Sequence, residues 1–316
     1  MTYNTATQGH PVIREIIRRR AGGIEGDARA ASSRGVKLAL VVEGGGMRGV
    51  YSGGALVAME RLGLTTLFDE AYGESAGAIN ACYFLAGQAD FGIRIYLDDL
   101  TSLKFANPLR IGTILDLNYV DFVMKTVKPL DTKRVLSSPT DLYIAVTSGL
   151  TGEPRIFDAK HEGIPLLTLL KATGAIVPLY NHAVTICGHP YVDGGIANPI
   201  PVKSAIEAGC THILVLLTRP PSFVSTGFRR WQRLGMAPLF RKWPPAFVES
   251  FYLRQSKRYN ETRAIAFGSQ NLKHGVHIAV IAPGDDSPPV GRSTMSRKKL
   301  FAAQEDAMRR TRALFG

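Results

Sequence analysis

Apolar runs alternate with helix-length segments along most of the chain, and this pattern predicts the fold class. The run at 36–42, VKLALVV, is typical of a strand that is buried on both faces. Further strands are predicted at 67–72, 141–147, 155–157, 183–186, 190–192, 212–217 and 277–282. Helices are predicted at 50–62, 76–86, 166–173, 202–208 and 298–314. Strands that alternate with helices indicate an α/β sandwich with a largely parallel central sheet.

Two segments outside this alternation have a different pattern. At 11–20, four apolar residues recur at helical spacing among arginines, which predicts a short basic amphipathic helix before a linker rich in Gly, Ala, Ser and Arg. We expect this helix to pack on its own domain, with a membrane surface as the alternative. At 219–263, proline, arginine and aromatic residues interleave. That mixture suits a lid or a membrane-contact patch, but helices packed on the sheet are favoured.

The charge of the chain is concentrated in these flanking segments. The 316 residues carry a formal net charge of +12, and residues 219–263 alone hold ten basic against two acidic side chains. Basic patches attract polyanions such as acidic lipid surfaces, and charge alone does not select among them. Cys82, Cys187 and Cys210 have no metal-ligand or disulfide spacing. We therefore expect no metal. Because the chain has no apolar run of about 20 residues and no apolar leader, we expect a cytoplasmic protein.

The pentapeptide Gly73-Glu74-Ser75-Ala76-Gly77 fits the pattern G-x-S-x-G, between a predicted strand and a predicted helix. This pattern places a serine on a sharp strand-to-helix turn, where its hydroxyl projects from the sheet. The two glycines leave room where the turn and the departing helix pack together. Taken alone, the pentapeptide is equally consistent with a serine that caps a helix.

A glycine-rich turn, Glu43 to Gly49, follows the first strand and precedes a helix, and two interpretations compete for it. Gly44, Gly46 and Gly49 fit a dinucleotide-binding fingerprint, with Asp69 and Glu70 about twenty residues on. The alternative is an oxyanion hole, in which backbone N–H groups of Gly44, Gly45, Gly46 and Met47 face the charge that develops when Ser75 attacks a carbonyl. The second interpretation explains both glycine motifs together.

A serine nucleophile needs a base, and Asp193 is the leading candidate because it follows a strand and precedes Gly194 and Gly195. As an isolated motif, Asp-Gly-Gly is also ordinary turn chemistry. A triad with His212, His274 or His277 is the alternative, but we expect these histidines to be structural.

In order and spacing, the three motifs together resemble the patatin-like phospholipase family, over about residues 38–218. The resemblance implies a three-layer α/β sandwich and a Ser–Asp dyad that hydrolyses acyl esters of lipids without a cofactor. It assigns Ser75 as nucleophile, Asp193 as general base and the glycine-rich loop as oxyanion hole, with Arg48, Gly73, Gly77, Gly194 and Gly195 in support. The common family pattern has Asp before the three glycines, where this chain has Glu43, as in a bacterial subgroup.

Composition, charge and the resemblance together divide the chain into three parts and suggest its partners. Residues 1–35 are the N-terminal helix and linker, 36–218 the catalytic domain, and 219–316 a basic, aromatic extension packing on the same core. A lipid or acyl-ester substrate is expected, with peripheral contact to an anionic membrane and no nucleic acid. The alternatives are an NAD(P)-binding oxidoreductase that uses Gly44–Gly49, and a non-catalytic module that binds membranes or partners.

Overall fold

The computed structural model describes residues 6–22, 35–110, 112–268 and 275–315. The strands are β1 (Leu38–Val42), β2 (Glu70–Glu74), β3 (Asp141–Ser148), β4 (Pro154–Asp158), β5 (Val184–Ile186), β6 (His189–Asp193), β7 (His212–Leu216) and β8 (His277–Ile281). The helices are α1 (Pro11–Ala21), α2 (Val50–Arg61), α3 (Ala76–Leu85), α4 (Ala89–Gly92), α5 (Leu117–Phe122), α6 (Thr132–Ser137), α7 (Leu166–Thr173), α8 (Val202–Glu207), α9 (Arg230–Met236), α10 (Pro245–Glu249), α11 (Gln255–Ala266) and α12 (Arg297–Phe315). Short 3-10 turns lie at Gly46–Gly49, Gly194–Ile196 and Ala237–Phe240, and π-helical turns at Ile95–Asp99, Val123–Val127 and Ser250–Arg254.

The described strands form one eight-stranded sheet in the order β5-β6-β3-β2-β1-β7-β8, with β4 also paired to β3. Strands β3, β2, β1, β7 and β8 run parallel to their neighbours in that order. Strands β4, β6 and β5 add antiparallel pairs at the β3 side. The predicted α/β class with a largely parallel sheet is confirmed.

Helices cover both faces of the sheet, as the two sides of β1 show. Leu38, Leu40 and Val42 pack into a large apolar cluster on one face. Ala39 and Val41 pack into a second cluster on the other face. All five side chains are fully buried, which is the reason that this strand is a continuous apolar run.

Helices α1 and α12 both contribute to the larger cluster. Val12, Ile13 and Ile16 of α1 are fully buried in it. Arg19 is buried too, because it donates to the Leu67 carbonyl at 2.7 Å and pairs with Asp69 at 2.9 Å. The apolar side of this helix therefore faces the core, while most of the predicted linker lies outside the described residues.

Strand β2 differs from its predicted position, since it begins at Glu70 and ends at Glu74 rather than spanning 67–72. Leu67 and Phe68 pack in the core before the strand begins. Glu70 lies inside the strand, where its carboxylate pairs with Lys37 at 2.6 Å. The apolar pattern placed the strand too early because it gave no reason to include the carboxylates of Glu70 and Glu74. A carboxylate that has a partner is nevertheless tolerated in a buried strand.

Most aromatic residues of 219–263 are structural. Phe240, Trp243, Phe247 and Phe251 are buried in a third apolar cluster that also includes Val177, Tyr180 and Val192. Trp231 on α9 is an exception, with 67% of its surface exposed, and Leu234 on the same helix is 68% exposed. None of the described helices is both long enough and apolar enough to cross a bilayer.

Candidate active site

Ser75 occupies a sharp turn between β2 and α3, with φ 51° and ψ −132°. This left-handed backbone is strained for a residue with a side chain, and such strain concentrates at functional sites. The Ser75 N–H donates to Thr173 Oγ1 at 2.8 Å, and Thr173 Oγ1 donates to the Ala145 carbonyl at 2.6 Å. Strand β3 and helix α7 thereby hold the turn in place.

Gly73 and Gly77 stand where side chains do not fit. A Cβ at Gly73 would lie 2.7 Å from Ala78 Cα, and one at Gly77 would lie 2.3 Å from the Val42 carbonyl oxygen. The helix that follows Ser75 therefore packs directly on the backbone at the end of β1.

We expect Gly77→Ala to lower the free energy of unfolding by about 2–3 kcal/mol, because the new methyl group meets backbone atoms that cannot move aside. Urea unfolding checks this. Gly235→Ala is the matched control, since Gly235 lies on α9 with no heavy atom within 4 Å of an added Cβ. There the better helix propensity of alanine should raise stability by less than about 1 kcal/mol. Equal effects of the two substitutions would contradict the close packing.

Asp193 ends β6 beside the serine turn. Glu74 of β2 pairs with Ala145 of β3, and the next residue of β3, Val146, pairs with Asp193 of β6. Asp193 therefore lies one strand away from the end of β2. Its Oδ1 accepts the Gly195 N–H at 2.7 Å, and Gly194 passes so close to β3 that an added Cβ would lie 2.2 Å from the Ala145 carbonyl oxygen. The two glycines thus let the chain turn directly after the carboxylate.

Asp193 and Ser75 line the same cavity. Burial raises the pKa of Asp193 to about 6, and hydrogen bonds from Ser75 and Gly195, together with the Arg292 cation, limit the rise. Among the described residues, Asp193 Oδ2 has no partner with standard hydrogen-bond geometry. Catalytic hydrogen bonds often reach standard geometry only when substrate binds.

Glu74 is a site residue that the sequence reasoning missed, because the second position of G-x-S-x-G was treated as a spacer. It is only 3% exposed, and its Oε1 accepts the Gly44 N–H at 2.6 Å. An added Cβ on Gly195 would lie 2.8 Å from Asp193 Oδ1 and 3.1 Å from Glu74 Oε2, so the two carboxyl groups border the same glycine. Burial and then the charge of Asp193 raise the pKa of Glu74 well above its usual range. We infer that the pair retains a proton on Glu74 when Asp193 is ionised. A carboxyl group within a buried strand, directly before the serine, was the available signal.

We expect the free energy of unfolding to fall less steeply with rising pH in Glu74→Gln than in the unsubstituted protein. A carboxyl group with a higher pKa in the folded than in the unfolded protein binds more protons when folded, so the free energy of unfolding falls as pH rises between the two values. For Glu74 this window opens near 4.5, its ordinary value, and extends upward. Glutamine keeps an oxygen for Gly44 and does not titrate. Urea unfolding between about pH 5 and pH 9 measures the slope.

The control for this substitution is Glu74→Ala, which leaves the Gly44 N–H without its acceptor and should lower stability at every pH. Asp193 contributes a loss of the same sign, between 3.8 and about 6, in the unsubstituted protein. An unchanged pH slope in Glu74→Gln would show that Glu74 does not hold the proton.

The glycine-rich loop has two of its four predicted oxyanion donors available. Gly44 donates to Glu74, and Met47 donates to the Arg292 carbonyl at 3.0 Å. Within the described residues, the N–H groups of Gly45 and Gly46 have no hydrogen-bond partner. Both have positive φ, 127° and 61°, which glycine adopts without strain.

Glu43, where the common pattern has Asp, anchors the loop on its other side. Its carboxylate accepts the Thr218 N–H at 2.6 Å and the Tyr259 hydroxyl at 2.8 Å. The loop is thereby tied to the end of β7 and to α11.

Two cavities meet at Ser75. The main cavity, of about 310 Å³, has a mixed lining, in which Asp193 and Glu74 are polar and Ile196 and Phe228 are apolar. A smaller cavity of about 60 Å³ has an almost entirely apolar lining, which includes Ile79, Ile95, Leu100, Phe105, Leu115 and Val120. The serine hydroxyl thus lies between a compartment of mixed polarity and an apolar one, an arrangement that suits an amphipathic ester.

The described candidate histidines lie away from this site. His212 and His277 begin the parallel strands β7 and β8, and their rings are 5.0 Å apart. Ser75 follows the carboxyl end of β2, at the opposite edge of the same parallel set. Neither histidine lines either cavity, and His274 lies outside the described residues.

The acidic residues of the dinucleotide interpretation also lie at the opposite edge. Asp69 directly precedes β2, where it accepts the Leu38 N–H at 2.7 Å and pairs with Arg19. Glu70, the first residue of the strand, pairs with Lys37. The glycine-rich loop is at the far end of β1, so these carboxylates do not reach a ligand bound there.

A family model described as patatin-like phospholipase matches residues 40–206, more than half of this chain. A protein of Escherichia coli (strain K12), named uncharacterized protein YjjU, is 31% identical over 205 residues, which cover 62% of this chain and 57% of that protein. The match therefore spans less than two thirds of the relative's length.

Solved structures that align with this chain include VipD from Legionella pneumophila, at 14% identity and a TM-score of 0.49, covering 89% of this chain and 66% of that one. Human GIVD cytosolic phospholipase A2 aligns at 10% identity and a TM-score of 0.46, covering 97% of this chain and 61% of that one.

Proposed function

Because this chain belongs to the patatin-like phospholipase family, we propose that it is a serine lipid acyl hydrolase with Ser75 as nucleophile and Asp193 as general base. One observation carries the proposal. A strained serine turn and a buried carboxylate line the same cavity, where it meets a second, apolar cavity. Asp193 has a pKa of about 6, so it is ionised and able to accept a proton at neutral pH.

The first half-reaction transfers the acyl group to the enzyme. Asp193 takes the hydroxyl proton as Ser75 Oγ attacks the carbonyl carbon. The carbonyl oxygen gains negative charge, which the free N–H groups of Gly45 and Gly46 stabilise. When the ester C–O bond breaks, Asp193 gives the proton to the departing alcohol and the acyl group remains on Ser75.

The second half-reaction releases the acid. Water gives a proton to Asp193 and attacks the acyl carbon, and the oxyanion forms again at Gly45 and Gly46. Collapse releases the carboxylic acid, and the proton returns from Asp193 to Ser75. The acyl chain occupies the apolar cavity beside Ile79, and the alcohol portion occupies the main cavity.

Labelling with an alkyl fluorophosphonate tests the proposal. We expect covalent modification of the purified protein at Ser75, located by peptide mass mapping, together with hydrolysis of p-nitrophenyl esters. If the protein neither reacts with the probe nor hydrolyses any ester, the proposal is wrong and a non-catalytic binding module becomes the better interpretation. Tight NAD(P) binding that Ser75→Ala leaves unchanged would instead support the oxidoreductase.

The substrate is proposed to reach the site from an anionic membrane surface. Trp231 and Leu234 lie three residues apart on α9, both largely exposed, next to exposed Arg229 and Arg230. Phe228, which directly precedes these residues, lines the main cavity. Exposed aromatic and apolar side chains beside arginines suit the headgroup region of an acidic bilayer.

We expect Trp231→Ser/Leu234→Ser to reduce hydrolysis of anionic vesicles at least about tenfold, because two apolar anchors are lost. Cleavage of a monomeric p-nitrophenyl ester should stay unchanged. Leu109→Ser/Leu136→Ser, which removes two exposed apolar side chains outside α9 and outside both cavities, controls for general effects on vesicle assays. An equal loss on vesicles and on the monomeric ester would indicate a defect in the site rather than in membrane contact.

A further inference from the structure

Asn80 is a buried polar residue in the middle of α3, the helix that follows Ser75. Its side chain is set among mostly apolar neighbours in the helix, and the residue is 7% exposed. An amide at such a position is unfavourable unless it forms hydrogen bonds. Asn80 Nδ2 donates to the Gly49 carbonyl at 2.8 Å and to Ser52 Oγ at 3.1 Å. These hydrogen bonds leave the helix and reach the end of the glycine-rich loop.

Two buried hydroxyl groups extend this hydrogen-bond network. The Ser52 hydroxyl lies 3.2 Å from the Glu43 carbonyl oxygen and 3.1 Å from the Gly49 carbonyl oxygen, so it contacts both ends of the loop. The Tyr96 hydroxyl donates to Asn80 Oδ1 at 3.1 Å. Burial raises the pKa of Tyr96, so its hydroxyl keeps the proton that it donates. The Asn80 amide is therefore held at its oxygen as well as at its nitrogen.

Gly49 also packs closely against this network. An added Cβ on Gly49 would lie 2.4 Å from the Tyr96 hydroxyl oxygen and 2.8 Å from the Cβ of Ala76, the residue directly after Ser75. The end of the loop therefore packs on the start of α3. Since Asn80 is on α3 too, the helix that follows Ser75 also carries the side chain that holds the loop.

A second set of contacts holds the middle of the loop. Met47 donates to the Arg292 carbonyl, and the Arg48 guanidinium lies against Gly45, where an added Cβ would be 2.5 Å from Nη2. Arg48 and Arg292 line the main cavity together with Arg219. These contacts connect the loop to the segment around residue 292 rather than to α3.

The loop is thus anchored beside the serine turn at both of its ends. At the start, Gly44 donates to Glu74, the residue directly before Ser75. At the end, the Gly49 carbonyl accepts from Asn80, which follows Ser75 by little more than one helical turn. The two N–H groups proposed to face the oxyanion lie between these anchors, and both belong to glycines, whose backbone is intrinsically flexible. Their direction therefore depends on the anchors at both ends.

We propose that Asn80 is a positioning residue, which holds the N–H groups of Gly45 and Gly46 toward the carbonyl oxygen of an ester attacked by Ser75. Tyr96 acts through Asn80 by fixing the orientation of its amide. Oxyanion donors are effective because they are in place before the charge develops and need not reorganise. The role in catalysis rests on the proposed hydrolase function, whereas the anchoring of the loop does not.

Asn80→Ala tests the role in catalysis, with Asn181→Ala as a matched control. Asn181 is also 7% exposed, its amide is bonded to the Leu239 carbonyl and to Trp243 Nε1, and it lines neither cavity. We expect Asn80→Ala to lower kcat for a p-nitrophenyl ester by about 30- to 100-fold and to change KM by less than about threefold, because misplaced donors weaken binding of the transition state alone. Asn181→Ala should keep kcat within about threefold of the unsubstituted protein.

The thiono analogue of the same ester separates displaced donors from a general structural defect. It has sulfur in place of the carbonyl oxygen, and sulfur accepts hydrogen bonds only weakly. The ratio of oxo to thiono kcat should therefore fall at least about tenfold in Asn80→Ala. The two esters share one acyl chain, so a change in the apolar cavity, which Asn80 and Tyr96 also line, affects both rates equally, as does a smaller folded fraction. A reduced kcat with an unchanged ratio would overturn the proposal.

Tyr96→Phe is a milder variant, which also serves if Asn80→Ala does not fold. It keeps the buried ring and removes only the hydroxyl that donates to Asn80. We expect the ratio of oxo to thiono kcat to fall about threefold. An unchanged ratio would show that the amide of Asn80 needs no support from Tyr96.

Hydrogen exchange measured by mass spectrometry tests the anchoring without any hydrolysis. The amide hydrogens of Gly44 and Met47 have acceptors, so a peptide that covers 43–52 contains protected sites. We expect these sites to exchange at least about tenfold faster in Asn80→Ala than in the unsubstituted protein or in Asn181→Ala. Equal exchange in all three would show that Asn80 does not hold the loop, and the proposal would be wrong even if esters are hydrolysed. If no ester is hydrolysed and Ser75 is not labelled, the hydrolase is wrong, and the exchange rates alone decide whether Asn80 anchors the loop.

Discussion

Replacing Ser75 with alanine is expected to lower kcat for ester hydrolysis by about four orders of magnitude or more. The acyl-enzyme cannot form without the hydroxyl, and binding together with the oxyanion donors supplies only the residual rate. Hydrolysis of a p-nitrophenyl ester and fluorophosphonate labelling measure the loss. Ser204→Ala is a matched control, because Ser204 lies on α8 outside both cavities. Substantial activity in Ser75→Ala would rule out the serine mechanism.

Asp193→Asn should have the second largest effect, a loss of about three orders of magnitude in kcat/KM, because the amide cannot accept the serine proton. The amide oxygen still serves the Gly195 N–H, so the turn at 193–195 is retained. In the unsubstituted protein, kcat/KM should rise with pH through about 6, since the base works only when it is ionised. This rise should be absent from the residual activity of Asp193→Asn.

Histidine substitutions distinguish the dyad from a triad. His212→Ala and His277→Ala remove rings that lie at the opposite edge of the sheet from Ser75, so both variants should retain activity once folding is verified by circular dichroism. His274→Ala completes the set. A loss in any of these comparable with that of Asp193→Asn would favour a triad.

Local patterns predicted the elements that carry the motifs. The helix after Ser75 and strand β1 were found because buried elements leave continuous apolar runs and glycines mark the turns between them. Strands β5 and β6 were predicted too, with a turn at Gly188 and His189, but β6 begins at His189 and the turn is formed by Cys187 and Gly188, with φ of 49° and 79°. Family resemblance then supplied the roles of Ser75 and Asp193, which the motifs alone left open.

Contacts between distant residues were not predictable. Nothing near Gly44 or Met47 in the sequence shows that their N–H groups are already bonded, because the acceptors are the side chain of Glu74 and the backbone of Arg292. The convergence of Arg219 and Arg292 on one cavity depends in the same way on tertiary structure. The basic character of 219–263 was visible, but which arginines face the site was not.

The backbone of Ser75 places selection for stability and selection for activity in opposition at one position. Glycine adopts a φ of 51° freely, so Ser75→Gly would relieve strain worth about 1–3 kcal/mol while it removes the proposed nucleophile. At this turn, greater stability and the proposed activity therefore require different residues.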